Sequence, residues 1–347
     1  MTQRFERSLD IKNGRVDMTH GSGGRAMAQL IDQLFAKAFD NPALAEGNDQ
    51  ARLAIPAAGR LAFSTDSYVI SPLFFAGGDI GSLAVHGTVN DVALSGAKPL
   101  WLSAGFILEE GFPLADLERI VTSMAKAAQE CGVQIVTGDT KVVEKGKADG
   151  VFINTAGVGL IAEGVDLSVH NIRAGDAIIV SGTLGDHGVA VMAQREGLVF
   201  DEPVLSDSAA LNGLIDNMIK SGVAIHALRD PTRGGLATSL NEMARAAGVG
   251  MRLNEAAIPV RASVRGVCEI LGLDPLYIAN EGKLIAFCPV AQAQTLLTAM
   301  KGHEHGREAA IIGEVVEDDH AFVEMTTTLG GQRMVDWLAG EQLPRIC

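Results

Sequence analysis

The stretch that decides the fold runs from residue 114 to residue 143 and reads LADLERIVTSMAKAAQECGVQIVTGDTKVV. Gly132 ends a helical pattern, and the apolar run Val133–Thr137 that follows it is typical of a strand. A helix, a strand and then a glycine–aspartate turn predict a fold in which helices and strands alternate. The helical pattern places apolar residues on one face, at Leu117, Ile120, Val121, Met124, Ala125 and Ala128.

The same alternation extends towards both ends of the chain. Further strand-like runs in the first half are Arg60–Thr65, Leu100–Leu108 and Val151–Ile161, and a helical pattern covers Gly23–Phe39. The second half mixes helical patterns with strand-like runs, at Ser206–Lys220, Gly234–Ala247, Val290–Met300, Leu284–Cys288 and Ile311–Val316.

The composition turns polar at HNIRAGD, residues 170–176, before a new strand, AIIVSG, begins. We therefore place a domain boundary there. The prediction is an N-terminal extension at 1–17, an α/β domain at 18–170, an α+β domain at 171–338 and an irregular tail at 339–347.

Composition excludes several classes of protein. Of the 347 residues 47% are apolar and the mean hydropathy is +0.21, so the chain is not disordered. The net charge of −14 argues against nucleic acid or an anionic membrane as a partner. The longest uncharged stretch, Leu284–Met300, contains proline and glutamine and does not suit a membrane span. The opening residues show no apolar export signal, so we expect a cytoplasmic protein.

The four cysteines are Cys131, Cys268, Cys288 and Cys347, with no C-x-x-C pair among them. This spacing argues against structural zinc and against a disulfide framework. The first three lie in apolar segments and are expected to pack as small hydrophobic residues. Cys347 is the last residue, and it is either a frayed terminus or a carrier thiol that the tail brings into a pocket.

A glycine-rich segment, HGSGG at residues 20–24, stands directly before a helical pattern. Free N–H groups at a helix N-terminus attract phosphate, although the segment matches neither the Walker nor the Rossmann motif. A plain flexible turn is the alternative interpretation.

Several aspartates are expected at strand ends and turns: Asp49, Asp66, Asp91, Asp139 and Asp230. Each alone is typical of a cap or a turn. If they converge at the ends of alternating strands, their carboxylates suit a hard cation such as Mg²⁺ together with a nucleotide. Asp79 precedes a helical pattern and is expected to be its N-cap.

Lys141 and Glu281 are charged residues in apolar or glycine-rich surroundings. Such surroundings favour a shifted pKa and a catalytic role, whereas a solvent-exposed lysine and a turn glutamate are the ordinary alternatives.

Taken together, the motifs resemble the HypE family of NiFe-hydrogenase maturation factors, within the superfamily of aminoimidazole ribonucleotide synthetase and selenophosphate synthetase. The resemblance spans nearly the whole chain beyond the first 17 residues, and the terminal PRIC is its most specific motif. The segments that carry it are HGSGG, FSTDSYV, NDVALSG, GFILEEG, VTGDTKVV, FINTAGVG, VSGTLGDHG, LRDPTRGGL, NEGKL, IIGEVVE and PRIC.

The resemblance implies a two-domain aminoimidazole ribonucleotide synthetase-like fold, whose N-terminal sheet pairs with its twin across a homodimer and whose tail is flexible. It also implies a reaction. The carbamoyltransferase HypF loads a carbamoyl group onto the terminal thiol, ATP drives dehydration of that group to a thiocyanate, and the cyanide passes to iron held by HypC and HypD. An ATP-dependent synthetase acting on a free small substrate and a non-catalytic adaptor are the alternatives.

The resemblance also implies roles for individual residues. Cys347 carries the substrate, Glu281 is the preferred base, and Lys141 positions the carboxamide or stabilises developing charge. Mg²⁺ and ATP are the implied cofactors, with metal candidates at Asp49, Asp66, Asp91 and Asp230. Phosphate and nucleotide contacts are implied at His20, Gly21, Ser22, Gly23, Gly24, Gly138, Asp139, Thr140 and Asn154.

Overall fold

The computed structural model describes residues 9–22, 25–46, 50–198, 203–338 and 345–347. Gly23, Gly24 and Asp49, which belong to the predicted site, lie outside the described residues.

The N-terminal half packs helices against one face of a sheet. Its strand order is β1–β6–β4–β5, in which β4 and β5 are parallel and the other pairs are antiparallel. The elements in chain order are α1 (Arg25–Leu30), α2 (Ala36–Ala38), α3 (Pro42–Ala45), β1 (Arg60–Tyr68), β2 (Phe74–Phe75), β3 (Gly78–Asp79), α4 (Ile80–Leu94), β4 (Ala97–Glu109), α5 (Leu114–Cys131), β5 (Gln134–Val143) and β6 (Val151–Ile161).

Two predicted helix boundaries are confirmed by their local chemistry. The Asp79 carboxylate accepts hydrogen bonds from the backbone N–H groups of Gly81 and Ser82, at 2.7 and 3.1 Å, and so caps α4. Gly132 adopts φ 70°, the left-handed conformation that ends α5 without a side-chain clash.

The predicted helix over Gly23–Phe39 is less regular than its apolar pattern indicates. Its described part consists of α1, a π-helical segment at Ile31–Phe35 and α2. A π-helical segment shifts the following side chains around the axis, and both Leu34 and Phe35 are buried as a result.

The C-terminal half is built on a second sheet with strand order β13–β12–β9–β11–β7–β10–β8, in which only β12 and β9 pair in parallel among the described strands. Its elements are β7 (Asp176–Val180), α6 (Asp186–Arg195), α7 (Asn212–Lys220), β8 (Ala227–Arg229), α8 (Gly235–Ala247), β9 (Gly250–Asn254), α9 (Ala262–Leu271), β10 (Ile285–Pro289), α10 (Ala293–Lys301), β11 (Ala310–Val316), β12 (Val323–Thr326) and β13 (Gln332–Met334).

The two halves share buried surface. Val191 of α6, Ala279 and Ile346 of the tail belong to the same hydrophobic cluster as the helices of the N-terminal half. Asn90 of α4 receives a hydrogen bond from the backbone of Leu211 at 2.7 Å and donates one to Ala209 at 2.9 Å. The domains therefore meet along α4, and the tail packs into that junction.

Part of the predicted N-terminal extension packs on the N-terminal half. Val16 is 1% exposed, and its backbone N–H donates to the carbonyl of Phe112 at 2.8 Å. Cys131, Cys268 and Cys288 are buried, free thiols, as predicted. Among the residues that the structure describes, no helix is both long and apolar enough to cross a membrane.

Candidate active site

A cavity of about 270 Å³ lies where the two halves meet. Strand β1 and helix α4 form one side, and the loop after β8 forms another. The lining residues are Thr65, Asp66, Gly87, Asp91, Arg229, Asp230, Thr232, Arg233, Glu281 and Cys347. Most of these are charged or polar, which is typical of a reaction site rather than of a packing defect.

Three of the predicted aspartates line this cavity, but not all stand at strand ends as expected. Asp66 lies within β1, and Asp91 lies inside α4, where it accepts a hydrogen bond from the Ser64 hydroxyl at 2.9 Å. Side chains four residues apart share a helix face, so α4 presents Gly87 and Asp91 to the cavity together. The strand-end prediction was wrong for Asp91 because its helix, not a strand, reaches the site.

Burial and mutual repulsion raise the pKa of three carboxyls that line the cavity, those of Asp91, Asp230 and Glu281. Burial, reinforced by the negative charge of Asp91, raises the pKa of Asp230 to about 6. Burial also raises the pKa of Asp91 itself. The cavity lining holds four carboxyl side chains and two cationic side chains, Arg229 and Arg233.

Glu281 is the most strongly perturbed of these groups. Its side chain is buried, and desolvation together with the charges of Asp230 and Asp207 holds its pKa well above the usual range. Its Oε1 has no hydrogen-bond partner among the described residues. An unpartnered, buried carboxyl oxygen facing a cavity is poised for a ligand or a substrate proton.

Hydrogen bonds to Asp207 fix the backbone at Glu281. The Asp207 carboxylate accepts from the N–H groups of Glu281 and Gly282 at 3.2 and 3.3 Å and pairs with Lys283 Nζ at 3.2 Å. Because the Asp207 side chain is 3% exposed, this ion pair is shielded from water.

The neighbouring Asn280 ties three segments together. Its Oδ1 accepts from the Gly185 N–H at 2.7 Å, and its amide donates to the carbonyls of Pro231 and Ile278, each at 3.0 Å. The loop that carries Asp230 is thereby held against Glu281. Two glycines then turn this loop into α8, and Gly235, at φ 61°, passes so close to Leu276 that a Cβ would lie 2.5 Å from its carbonyl oxygen.

Cys347 enters the cavity from the tail. Burial, and then the negative charge of Glu281, raises the pKa of its thiol to about 12, so the seated thiol is protonated and a poor nucleophile. Beside it, Arg233 favours the thiolate but does not offset those effects. Cys347 and Glu281 thus line the same cavity.

The other predicted residues form a separate group at one edge of the N-terminal sheet. Gly21 packs so tightly on β5 that a Cβ there would lie 2.8 Å from the Val142 nitrogen, which places the turn at His20 to Ser22 on the strand that also carries Gly138, Asp139 and Thr140. Lys141 Nζ pairs with the Asp139 carboxylate at 2.6 Å, and both side chains are 62% exposed.

Asn154 lies on the face of the N-terminal sheet that the helices do not cover. Asn154 on β6 pairs with Gly105 on β4, and Gly105 pairs with Asp139 on β5. Gly105, between the two, adds no side chain to the sheet there. The Asn154 amide donates to the Asp66 carbonyl and the Ser67 hydroxyl at 2.9 and 3.0 Å.

The residues present fit a cation that is shared with phosphate. Within the described ranges, no three His, Cys, Asp or Glu side chains lie close enough together to hold a metal ion by themselves. Mg²⁺ in nucleotide sites keeps water and phosphate ligands and takes only one or two carboxylates. Asp66, Asp91 and Asp230 around one cavity, beside an unpartnered Glu281 oxygen, suit such an ion.

Several residues of the site were not found from the sequence. Thr232 and Arg233 follow Asp230 in the recognised segment LRDPTRGG, so that motif was the available signal. Asp207 stands in LSDSAA, which has no distinguishing feature, and its role is visible only in three dimensions.

Both halves match known families, and these define the class of protein. The N-terminal domain of AIR synthase related proteins matches residues 47–161, and the C-terminal domain of the same proteins matches residues 173–326. The predicted two-domain fold of mixed α and β structure is confirmed. The gap between the matched ranges, 162–172, contains the end of the predicted first domain, whose exact limits stay a prediction.

Comparison with individual proteins identifies one family within this class of protein. The carbamoyl dehydratase HypE of Cupriavidus necator is 63% identical over 99% of this chain and 98% of its own. A crystal structure of the hydrogenase maturation protein HypE in complex with ATP is 53% identical, with a TM-score of 0.92 over 95% of this chain and 99% of that one. A HypE chain in a HypE–HypF complex is 51% identical, with a TM-score of 0.78 over 89% and 99% of the two chains. The chain belongs to the HypE family of carbamoyl dehydratases, which act in hydrogenase maturation.

Proposed function

We propose that this protein uses ATP to dehydrate an S-carbamoyl group on its own Cys347 to S-cyanate, which supplies cyanide ligands to the iron of a NiFe hydrogenase. The observation that carries the proposal is the cavity in which the Cys347 thiol and the unpartnered carboxyl of Glu281 lie together among Asp66, Asp91 and Asp230. A carbamoyl group on that sulfur would stand among acid–base groups and metal candidates.

The chemistry requires the amide oxygen to leave, and hydroxide is a poor leaving group. Transfer of the ATP γ-phosphoryl group forms a P–O bond to that oxygen, and one N–H proton is lost. Cleavage of the C–O bond then releases phosphate, the second N–H proton leaves, and the C≡N bond is complete. The products are the thiocyanate, ADP and phosphate, with the amide oxygen carried away in the phosphate.

Glu281 is the proposed base, because it is the carboxyl buried beside Cys347 and a raised pKa makes its ionised form a stronger base. ATP is proposed to bind with its phosphates at the turn of His20 to Ser22 and at Gly138 to Thr140, with Asn154 as a further nucleotide contact. Lys141, beside Asp139, is proposed to stabilise phosphate charge there rather than to take the proton.

Asp66, Asp91 and Asp230 would hold Mg²⁺, and Asp49 remains a further proposed ligand. Bound Mg²⁺ supplies neutralisation of phosphate charge and alignment of the transferring group. The chain's own part is to desolvate the carboxylates so that a cation is favoured and to keep bulk water from the reacting phosphoryl group.

The proposal includes partners and a moving tail. HypF is the proposed carbamoyl donor, and the solved complex of a related HypE with HypF supports this choice. The complex of HypC and HypD is the proposed cyanide acceptor. Because Cys347 is half-buried in the cavity, we propose that the tail moves outward to meet either protein. We further propose a homodimer working in the cytoplasm.

Intact mass spectrometry tests the proposal. After incubation with HypF, carbamoyl phosphate and ATP, the chain is expected to gain about 43 Da and then to retain about 25 Da, the formula masses for carbamoyl and cyano groups in an ATP-driven dehydration. Cys347→Ala should abolish both shifts, and Cys131→Ala should keep them.

A persistent gain of about 43 Da in the presence of ATP, with no later change, contradicts dehydration by this chain. If Cys347→Ala still turns over ATP with a free small amide, a synthetase acting on a free substrate is correct instead. If neither shift nor turnover occurs and Cys347→Ala abolishes binding of HypF, the tail is a docking peptide of an adaptor.

A further inference from the structure

The tail is held by hydrogen bonds to its backbone. The Val69 and Ser71 N–H groups each donate to a tail carbonyl, those of Cys347 and Arg345 respectively, both at 3.2 Å. From α6, Arg195 donates to the Arg345 carbonyl at 2.9 Å. These contacts do not depend on the side chain at position 347.

Among the described tail residues 345–347, the third carbonyl, that of Ile346, lies 2.5 Å from Nε2 of His187 on the first turn of α6. His187 is the histidine of the segment GDHG, which the reaction proposed above does not use. Ile346 itself is 5% exposed and belongs to the hydrophobic core. A single imidazole thus contacts the residue directly before the carrier cysteine.

We propose that His187 is a positioning residue that seats the carrier tail by donating a hydrogen bond to the Ile346 carbonyl, and that Asp149 assists by pairing with Arg345. The inference goes beyond the proposed reaction and rests on it only in calling Cys347 a carrier. It assigns a role to the GDHG segment and names His187 and Asp149 as residues that hold the thiol in its inward position.

Geometry fixes which nitrogen of His187 donates. A carbonyl oxygen only accepts, so Nε2 carries the proton, and Nδ1 accepts from the Ser206 hydroxyl at 2.8 Å. Burial lowers the pKa of His187 and keeps the imidazole neutral, which leaves this single tautomer. The His187 and Phe75 rings are nearly perpendicular, with 5.5 Å between their centroids, so Phe75 packs against the imidazole.

The second contact reaches the tail from the other domain. The Arg345 guanidinium pairs with Asp149, in the connection between β5 and β6, and also donates to the Val69 carbonyl at 3.1 Å. The Asp149 side chain is 59% exposed, so this ion pair contributes less than the buried hydrogen bond of His187. His187 and Asp149 hold the tail from opposite domains, so each is expected to favour the inward position of the thiol.

Alkylation of the thiol by iodoacetamide measures the outward position directly. The full chain is used without ATP or HypF, and peptide mass spectrometry follows each cysteine separately. His187→Asn keeps an amide near Ser206 but is too short to reach the tail, and His187→Gln can place an N–H where Nε2 stood. We expect Cys347 to label about tenfold faster in His187→Asn, within about twofold of wild type in His187→Gln, and about threefold faster in Asp149→Ala.

The buried Cys131, Cys268 and Cys288 serve as internal controls for unfolding. Faster labelling of Cys347 with unchanged labelling of those three supports seating. Wild-type labelling of Cys347 in both His187→Asn and Asp149→Ala overturns the proposal. Equal acceleration at all four cysteines also overturns it, because His187 would then be merely structural. The assay includes no dehydration step. Its result can therefore be interpreted even if the proposed dehydration is wrong.

Discussion

Glu281 and Cys347 owe their chemistry to the same cause. Both are desolvated in one acidic cavity, and in each case loss of water raises the pKa more than any neighbouring charge does. For the thiol this means protection from reaction while it is seated. When a bound cation favours its ionised form, the carboxylate of Glu281 is a strong base because its pKa is raised.

Replacing the proposed base gives a prediction at this scale. Glu281→Gln keeps the shape of the side chain and removes the proton acceptor, so the carbamoyl form of Cys347 should accumulate and its conversion should slow by about 100-fold or more. Single-turnover mass spectrometry measures the rate. In the wild type the rate should rise with pH, because a base must lose its proton and the pKa of Glu281 is raised.

Glu163→Gln, at an exposed glutamate outside the cavity, is the matched control and should behave as wild type. Conversion by Glu281→Gln at the wild-type rate would remove Glu281 from the role of base and favour Lys141.

How far the sequence predicts single residues depends on their surroundings. Glu281 is a charged residue in apolar and glycine-rich surroundings, and this context indicated an unusual environment for it. In the folded chain its side chain is buried. Asp207 and His187 touch the site only through contacts with residues distant in sequence. No local pattern records such contacts, so these residues could not be predicted.

At the scale of elements, the N-terminal sheet has one covered and one open face. On β1, Ser64 faces α4 through its hydrogen bond to Asp91, so the alternate residues point away from the helices. On that open face Leu61, Phe63 and Ile107 are 55%, 71% and 44% exposed. Exposed apolar residues on one face of a sheet indicate a surface that another protein covers, and the proposed dimer would cover it with a second copy.

Placing a charge on this face tests the dimer. Phe63→Arg should bury two like charges across a two-fold interface and weaken the association by about 100-fold or more, which sedimentation velocity would record as a monomer. Phe322→Arg, at a phenylalanine 48% exposed in the C-terminal half, is the control and should leave sedimentation unchanged. A Phe63→Arg variant that sediments as the wild type would contradict pairing through this sheet.

Elements with strong periodicity could be predicted from the sequence, and those with mixed environments could not. Helix α5 was predicted because its apolar stripe faces one core. The start of helix α4 was predicted from its cap at Asp79, but its extent was not, because the helix is buried on nearly all sides and shows no polar face. Strand β5 extends to Val143, past the expected end at Thr137, because pairing with β4 carries Asp139 and Lys141 within the sheet.

At the scale of the whole molecule, the site is made by the meeting of two domains. Its residues come from β1, α4, the loop after β8, the turn at Glu281 and the last residue of the chain. Composition and periodicity predict the two domains, but no pattern within a segment reports which segments meet. The resemblance implied two domains and a carrier tail, and the structure adds the contacts that hold the tail at their junction.

The central claim is that the oxygen of a carbamoyl group on Cys347 is removed by phosphorylation. The most direct measurement follows that oxygen in a single turnover with Mg²⁺ and ATP, using protein carbamoylated at Cys347 by ¹⁸O-labelled cyanate. We predict that the label appears in inorganic phosphate, heavier by about 2 Da, as the thiocyanate forms. Label released as water, with unlabelled phosphate, would contradict the account.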